Sequence, residues 1–469
     1  MAHLTQIEPS MPSSFDSHHA PDKDLLADCV HCGFCLPACP TYVLWGEEMD
    51  SPRGRIYMMQ KAAQGAAPLD ESFQIHMDSC LGCMACMTAC PSGVQYSSLI
   101  EATRAQVERN IPRSLDDSLF RRMLFATFPH PARLRLLAFP MFLYQRSGLQ
   151  SLIRESGLLK LLPKRLTAME ALLPTVPSHF NWRMPERTAP VGAQRRRVGM
   201  LTGCVQQVFF SHVNAATARV LAAEGCEVIT PEGQPCCGAL MIHSGLDQQA
   251  AAMARTIIDM FEQANVETIV INAAGCGSTM KEYGDLLRDD PHYADSAKAF
   301  SAKCKDITEI LSEMPPVASR HPLPLRIAYH DACHLRHAQG IYQQPRDLLA
   351  GIPQLEIAEI AESSLCCGSA GVYNLLHPEP AQELGDRKVT NLLATNAAAV
   401  VSANPGCLLQ LKSGLSRRGE AMLPTFHMVE LLDASIRGLK PADLMSNKPS
   451  LSTAPISHSS DSNSRVDTL

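Results

Sequence analysis

Cys29-Val30-His31-Cys32-Gly33-Phe34-Cys35-Leu36-Pro37-Ala38-Cys39-Pro40 returns further along the chain as Cys80-Leu81-Gly82-Cys83-Met84-Ala85-Cys86-Met87-Thr88-Ala89-Cys90-Pro91. Two runs of C-x-x-C-x-x-C-x-x-x-C-P form the ligand pattern of a protein that holds two [4Fe-4S] clusters. Three thiolates at i, i+3 and i+6 on a tight, turning loop converge on three corners of one cubane, and the fourth cysteine crosses to the other cluster. By that rule Cys29, Cys32, Cys35 and Cys90 hold one cluster and Cys80, Cys83, Cys86 and Cys39 hold the second. The crossing keeps the two close together, as suits an electron wire. Zinc also takes four-cysteine sites, but it explains neither a third C-x-x-C step nor the proline after the last cysteine in both copies.

A chain of 469 residues suits about three domains. Its 46% hydrophobic and 19% charged residues are an ordinary soluble composition. With 41 Lys and Arg against 47 Asp and Glu, the net charge of −6 argues against nucleic acid as a partner. The first ten residues lack a basic region followed by an apolar one, so no secretory leader is expected. The 18 cysteines are therefore expected to stay in a reducing compartment, where metal binding is a better default than disulfides. The longest uncharged run, Val389 to Leu411, is broken by Thr390, Asn391, Asn396, Pro405 and Gly406 and does not read as a membrane span. A cytoplasmic protein is expected, with at most a peripheral contact on the inner face of the cell membrane.

The expected fold class is α+β and multidomain. Residues 1–22 and 440–469 read as disordered tails, being Ser-, Pro- or Asn-rich without apolar periodicity. Residues 23–117 read as a helical ferredoxin domain: Ser51 caps and Pro52 opens one helix, and Ser97 to Asn110 has the pattern of another. Arg53 and Arg55 either neutralise cluster charge, meet an acidic partner or lie on a solvated helix face. Residues 118–197 form a basic helical linker, which Pro129, Pro131, Pro140 and Pro163 are expected to cut into short helices. From Ser118 to Leu166, Glu155 is the lone acid beside Arg121, Arg122, Arg133, Arg135, Arg146, Arg154, Lys160, Lys164 and Arg165. Basic helices with Phe120, Leu124, Phe125, Phe128, Leu137, Phe139, Phe142 and Tyr144 suit either packing between domains or docking on a lipid or protein surface.

Residues 198–322 and 323–439 are an internal repeat. Val198 to Cys204 and Leu325 to Cys333 are apolar strands that end at a cysteine and run into a helix. Cys236-Cys237-Gly238 and Cys366-Cys367-Gly368 follow, and Thr268 to Cys276 and Ala398 to Cys407 close each copy. Helical patterns over Ala251 to Ala264 and Gln382 to Leu393 complete two α/β lobes with parallel strands. Ligands in such sheets sit beyond the carboxyl ends of strands, where Cys204, Cys276, Cys333 and Cys407 fall. Adjacent cysteines followed by glycine can turn both thiolates toward one metal centre. The candidate metal ligands are thus Cys204, Cys236, Cys237 and Cys276 in one lobe and Cys333, Cys366, Cys367 and Cys407 in the other.

The paired motif resembles the cysteine-rich CCG repeat of the heterodisulfide reductases and their relatives, in which each repeat ends in C-x-x-C. Here Ala273 and Asn404 stand at the first position of that pair, leaving four cysteines per lobe for a further iron–sulfur cluster, a zinc or a labile metal. Cys226 and Cys304 have no counterpart in the repeat and read as packing residues. His330, Asp331 and His334 flank Cys333, and a histidine beside a metal thiolate more often donates a hydrogen bond than acts as a base. His243 and Ser244 carry a weaker signal. No G-x-G-x-x-G follows a strand, so no flavin or nicotinamide site is expected on this chain.

Taken together, Cys29 to Cys35, Thr41-Tyr42, Asp50-Ser-Pro-Arg-Gly-Arg-Ile-Tyr57 and Cys366-Cys-Gly-Ser-Ala-Gly-Val-Tyr-Asn374 resemble the iron–sulfur subunit of bacterial glycolate oxidase, over roughly Asp24 to Gly438. The resemblance implies a non-catalytic electron-transfer subunit of a 2-hydroxy-acid oxidase or dehydrogenase. FAD-containing partner subunits would oxidise glycolate, or D-lactate as a related acid, and this chain would pass electrons toward quinone or another acceptor. The cluster subunit of anaerobic glycerol-3-phosphate dehydrogenase shares the layout. A thiol or heterodisulfide reductase and a zinc-bearing scaffold are the alternatives from other classes.

Overall fold

The computed structural model describes residues 12–176 and 183–445. The amino-terminal part is helical throughout. Helix Pro52–Ala63 starts as its sequence dictates: the Ser51 side chain accepts from the Gly54 amide and Pro52 takes the first turn, where no N–H partner is missed. Gly54 is required there, since a Cβ would sit 1.9 Å from the Glu48 carbonyl oxygen. Helices Glu71–Ser79 and Tyr96–Asn110 pack on it through Met59, Phe73, Met77, Leu99, Ile100 and Val107. Residues 12–22, expected to be disordered, instead join this core. Phe15 is buried and Asp16 binds Gln106, Arg109 and Asn110, pairings that local sequence pattern does not report. At the other end residues 441–445 form a short helix, and the rest of that expected tail, 446–469, lies outside the described residues, as do 1–11.

Helices Leu115–Thr127, Pro131–Arg146, Leu149–Glu155 and Lys164–Ala171 follow. Pro131 opens its helix and Pro163 precedes one, but Pro140 does not break the chain. It lies inside the helix Pro131–Arg146, on its exposed side, where water can satisfy the Leu136 carbonyl that the ring deprives of a donor. Leu124 and Phe125 are buried against Met241, Ile242, Leu375 and Leu376, while Leu134 and Ala138 pack on Val208 and Phe209.

Two parallel sheets carry the rest. The first comprises β1 (Arg187–Thr188), β2 (Arg196–Met200), β3 (Cys226–Ile229), β4 (Thr268–Ile271) and β5 (Cys304–Asp306) in the order β1-β3-β2-β4-β5, with β1 alone antiparallel. The second comprises β6 (Leu325–His330), β7 (Leu355–Glu359), β8 (Ala399–Ser402) and β9 (Thr425–His427) in the order β7-β6-β8-β9, all parallel. The order β3-β2-β4-β5 matches β7-β6-β8-β9, and Val198↔Thr268 in one sheet answers Ile327↔Ala399 in the other. β4 and β8 are buried along their whole length, as central strands of parallel sheets must be. The sheets share one core through helices Ser211–Ala223 and Met428–Ile436, across which Arg219 donates to both oxygens of Asp433 at 2.8 and 2.6 Å.

Candidate metal centres

The two ferredoxin-type runs share one backbone path. His31 and Gly33 have φ of +53° and +88°, and Gly82 and Met84, at the same places in the second run, have +61° and +61°. Each loop thus turns twice through the left-handed region, with one glycine and one ordinary residue holding the turn in each. Cys29, Cys32, Cys35 and Cys90 line an open recess that also contains Cys86, Ile56, Val94 and Tyr96. Cys32 is exposed and the other three are half-buried. Burial pushes the Cys35 thiol up to about 11 and raises Cys29, to which the Cys90 thiolate adds.

Cys39, Cys80, Cys83 and Cys86 are all buried. The Cys86 thiol is raised by burial and further by Cys83, Cys80 and Cys39, so these four lie within electrostatic reach of one another. Burial would raise Cys80 as well, but the guanidinium groups of Arg55 and Arg104 hold it below its ordinary value. The Gly82 amide donates to Cys80 Sγ at 3.3 Å, and Thr41 Oγ1 lies 3.2 Å from Cys39 Sγ.

Arg55 is not on a solvated helix face. It is fully buried, donating to Ser79 Oγ at 2.7 Å, Asp50 Oδ1 at 3.1 Å, Thr41 Oγ1 at 3.2 Å and the His76 carbonyl at 2.7 Å, with Nη1 4.0 Å from Cys39 Sγ. Burial alone would weaken its charge, yet Cys80, Tyr96, Cys39 and Asp50 raise its affinity for the proton. Arg53 pairs with Glu48 at 2.6 Å and donates to the His31 carbonyl at 3.2 Å.

In the lobes, Cys204, Cys333 and Cys407 open or enter helices just beyond the carboxyl ends of β2, β6 and β8, and Cys276 does so beyond β4. Gly238 and Gly368 follow the cysteine pairs at φ of +85° and +86°, and a Cβ on Gly368 would meet the Ala381 carbonyl oxygen at 2.4 Å. The turn therefore needs glycine. Thiol contacts run Cys204–Cys236–Cys237–Cys276 and Cys333–Cys366–Cys367–Cys407, with Cys333 and Cys366 sulfurs 3.9 Å apart. Hydrogen bonds from Cys236 and Cys276 hold Cys237 well below the usual thiol range, and Cys366 and Cys407 do the same for Cys367. Asn404 donates to Cys407 Sγ at 3.4 Å, whereas Ala273 in the other lobe offers no donor. Cys226 and Cys304 lie buried in the hydrophobic cores.

Several charged or titratable neighbours were not legible as such in the sequence. His334 Nδ1 lies 3.6 Å from Cys333 Sγ, its ring is 4.9 Å from that of His243, and His243 Nδ1 is 3.1 Å from Glu101 Oε1. This string joins helix Tyr96–Asn110 to both lobes. Burial pushes the Glu101 carboxyl up to about 7, and burial with the charges of His334 and Arg104 takes His243 down to about 3. Asp331 is occupied structurally, accepting from Arg346 at 2.8 and 2.9 Å and from Arg336 at 2.8 Å. His330 faces Cys367 and Cys407.

The donor sets can be tested against the metals. Tetrahedral thiolates about 2.3 Å from one zinc ion lie about 3.8 Å apart. Among the described residues, the groups of three or more ligand atoms mutually within 4.8 Å are His330, Cys367 and Cys407, and His18, His19 and Asp247. Neither ferredoxin-type set has three sulfurs drawn in that tightly, and the same holds of the four cysteines of the first lobe.

Fold and donors together define an iron–sulfur protein with a helical ferredoxin-type domain and two cysteine-rich lobes. Family models match accordingly: "4Fe-4S dicluster domain" over 25–94, "Cysteine-rich domain" over 198–281 and 327–412, and "Glycolate oxidase iron-sulfur subunit, linker region" over 116–173. The chain is 40% identical over 417 residues to the probable glycolate oxidase iron-sulfur subunit of Bacillus subtilis (strain 168), covering 88% of this chain and 94% of that one. It is 36% identical over 397 residues to the glycolate oxidase iron-sulfur subunit of Escherichia coli (strain K12), covering 83% and 90%. One polypeptide of the fumarate reductase (CoM/CoB) of Methanothermobacter marburgensis matches at 34% over 50% of this chain and 46% of its own. The chain belongs to the family of glycolate oxidase iron–sulfur subunits and is an electron-transfer subunit of that kind. Among the described residues no helix is long and apolar enough to cross a membrane.

Proposed function

We propose that the chain carries electrons from FAD-containing partner subunits of a glycolate or related 2-hydroxy-acid oxidase toward quinone or another acceptor. Cys29, Cys32, Cys35 and Cys90 would hold one [4Fe-4S] cluster, Cys80, Cys83, Cys86 and Cys39 a second, and the two lobe sets a further metal centre each. Bound there, iron–sulfur clusters supply one-electron transfer at potentials set by charge, hydrogen bonds and exposure. The chain's own residues order the path. Cys32 reaches the surface beside exposed Val30 and Phe34, whereas Cys83 is sealed into one apolar cluster with Leu81, Cys333 and Cys366 of the second lobe. That shared cluster is the observation that carries the reading, because it puts a ferredoxin-type ligand and a lobe ligand into the same buried apolar contact. Arg55 and Arg104 offset the negative charge of the buried thiolate set.

A peripheral membrane contact is part of this proposal, since a path ending at quinone must reach the lipid. The linker supports it mainly with exposed leucines, because many of its basic side chains are already engaged. Arg121 pairs with Asp117, Arg165 with Asp117, Arg154 with Glu170 and Lys164 with Glu379, and Arg135 donates to Gln207. Purification with the flavoprotein encoded beside it tests the reading. The complex should reduce a dye with glycolate or D-lactate while the isolated chain does not, and the isolated chain should contain more than about eight irons, the content of two cubanes. Substrate-dependent dye reduction by the isolated chain would overturn it.

A further inference from the structure

We propose that His330 is a metal ligand: its imidazole nitrogen, with the thiolates of Cys367 and Cys407, holds the metal of the second lobe, whereas the first lobe binds through sulfur alone. This rests on the reading that the lobes are metal centres. The two lobes correspond cysteine for cysteine, and three residues before the first cysteine they differ. Leu201 precedes Cys204, and His330 precedes Cys333. Leu201 belongs to an apolar cluster with Cys204, Cys236 and Cys237, as a packing residue should.

His330 has no such account. It ends β6, with its backbone fixed opposite Ser402 of β8 and its carbonyl accepting from Ser402 Oγ at 3.2 Å. The side chain is 1% exposed, neither Nδ1 nor Nε2 has a hydrogen-bond partner of good geometry among the described residues, and the polar group its ring reaches is the Cys367 thiol. Native structures rarely leave a buried polar group unsatisfied without a reason. The reason is in front of the ring, where a nitrogen of His330 and the sulfurs of Cys367 and Cys407 lie mutually within 4.8 Å. The neighbouring polar groups are committed elsewhere, Asp331 to Arg346 and Arg336, and His334 to Cys333 and His243.

Coordination by His330 makes the lobes unequal. An imidazole that takes one of the lobe's four thiolate positions on the metal raises the potential of an iron–sulfur centre, as in Rieske sites, and the Asn404 donor on Cys407 acts in the same direction. The second lobe should therefore be the more oxidising of the two.

The test uses the full chain purified without oxygen, with and without ¹⁵N-histidine, and compares wild type with His330→Asn. Metal analysis selects the probe. Where the lobe holds iron, pulsed EPR of the reduced protein should show a directly bound histidine nitrogen that responds to the label and is lost in His330→Asn but retained in His334→Gln. Where it holds zinc, absorption at the zinc edge should show nitrogen at about 2.0–2.1 Å beside sulfur at about 2.3 Å, with the nitrogen lost in the variant. Should His330→Asn fail to fold, His330→Cys should keep the metal, lose the nitrogen signal and shift any redox potential downward. A loaded lobe with no histidine nitrogen, or a nitrogen signal that survives in both His330 variants, overturns the assignment. A chain with no metal beyond that of two cubanes overturns both the assignment and the reading of the lobes as centres.

Discussion

Thr88 Oγ1 lies 2.8 Å from Nδ1 of His337, and His337 Nε2 lies 2.9 Å from the Ser364 carbonyl. One imidazole thus ties the second ferredoxin-type run to the segment after Cys333 and to the loop before Cys366. The path between Cys83 and Cys333 depends on that junction staying closed. Thr88→Val removes the hydroxyl's contacts with His337 and with the Ala85 carbonyl and should cost about 1–2 kcal/mol of stability, with iron content unchanged. Electron transfer between the amino-terminal domain and the lobes should slow with it. Freeze-quenched EPR of both centres checks this, and an unchanged rate at reduced stability would show that the junction is structural alone.

Arg55 should be far less replaceable than its place in a polar helix suggests. Arg55→Leu strips the buried Asp50 carboxylate of its guanidinium and leaves it with His76 and Ser79 alone, a loss of about 1–3 kcal/mol. It also removes the guanidinium that holds Cys80 below its ordinary value. The variant should unfold at lower denaturant and retain less iron. Arg55→Lys keeps the charge but not the planar fork that serves Ser79, Asp50 and Thr41 at once, so its rescue should be partial.

Much of this architecture was legible because its signals are local. The cysteine spacing, the Ser51-Pro52 helix start and the strand–cysteine–helix repeat each occupy a few consecutive residues, and the sheets follow them. What was not legible depends on partners far apart in the chain. Arg55 is buried because Asp50, Ser79 and the His76 carbonyl enclose it. The basic linker side chains find acids such as Asp117, Glu170 and Glu379 that lie outside the basic stretch. Glu101 and His243 meet only once the lobes fold onto helix Tyr96–Asn110. His330 was the intermediate case, since its mismatch with Leu201 is visible in the repeat but its bare ring nitrogens are not.

The buried string should give stability a particular pH dependence. A carboxyl whose folded pKa is raised binds extra protons in the native state, so its contribution is full below its unfolded value and is lost as pH rises through the folded one. Glu282, on the first lobe, lies within electrostatic reach of Glu101 and His334; for Glu101, at about 7, and Glu282, at about 8, burial is the main cause, and that loss runs from about pH 4.5 to pH 8. His243, held at about 3, acts oppositely: its contribution is full above about pH 6.5 and is lost as pH falls. Between pH 6.5 and 8 the carboxyls act alone, and stability should decline. In a Glu101→Gln, Glu282→Gln double variant the decline should flatten, and at pH 8 the variant should be the more stable by about 1–3 kcal/mol. Denaturant titrations across that window check it, and parallel curves for the two proteins would refute it.

The exposed rim of the first cysteine set should be where the flavoprotein docks. Val30 and Phe34 are about two-thirds exposed beside Cys32, an apolar surface with no packing role in this chain. Replacing both by Ser should leave iron content and fold intact while weakening productive association about tenfold or more, the scale of losing an apolar anchor. The dependence of the reduction rate on flavoprotein concentration measures it. Unaltered association would move the docking site elsewhere.

The linker makes the last prediction, and its geometry changes which residues should matter. Leu136, Phe139 and Leu143 share one face of helix Pro131–Arg146, and Leu115 and Leu119 share one face of helix Leu115–Thr127; all are exposed. Arg121, by contrast, is buried among Asp117, Asp78 and Glu108. A lipid contact would then be driven by inserted side chains, each contributing about 1.5–3 kcal/mol when fully buried. Binding to anionic vesicles should survive moderate salt, because screening weakens charges and not apolar insertion. Leu136→Ser with Leu143→Ser should release the complex from vesicles with folding and iron content unchanged. Arg121→Gln should instead lower stability, since it opens an internal ion-pair cluster, and leave vesicle binding intact. If the leucine variant keeps its hold on vesicles but loses the flavoprotein, the face is a subunit interface, and the contact with lipid must be sought elsewhere.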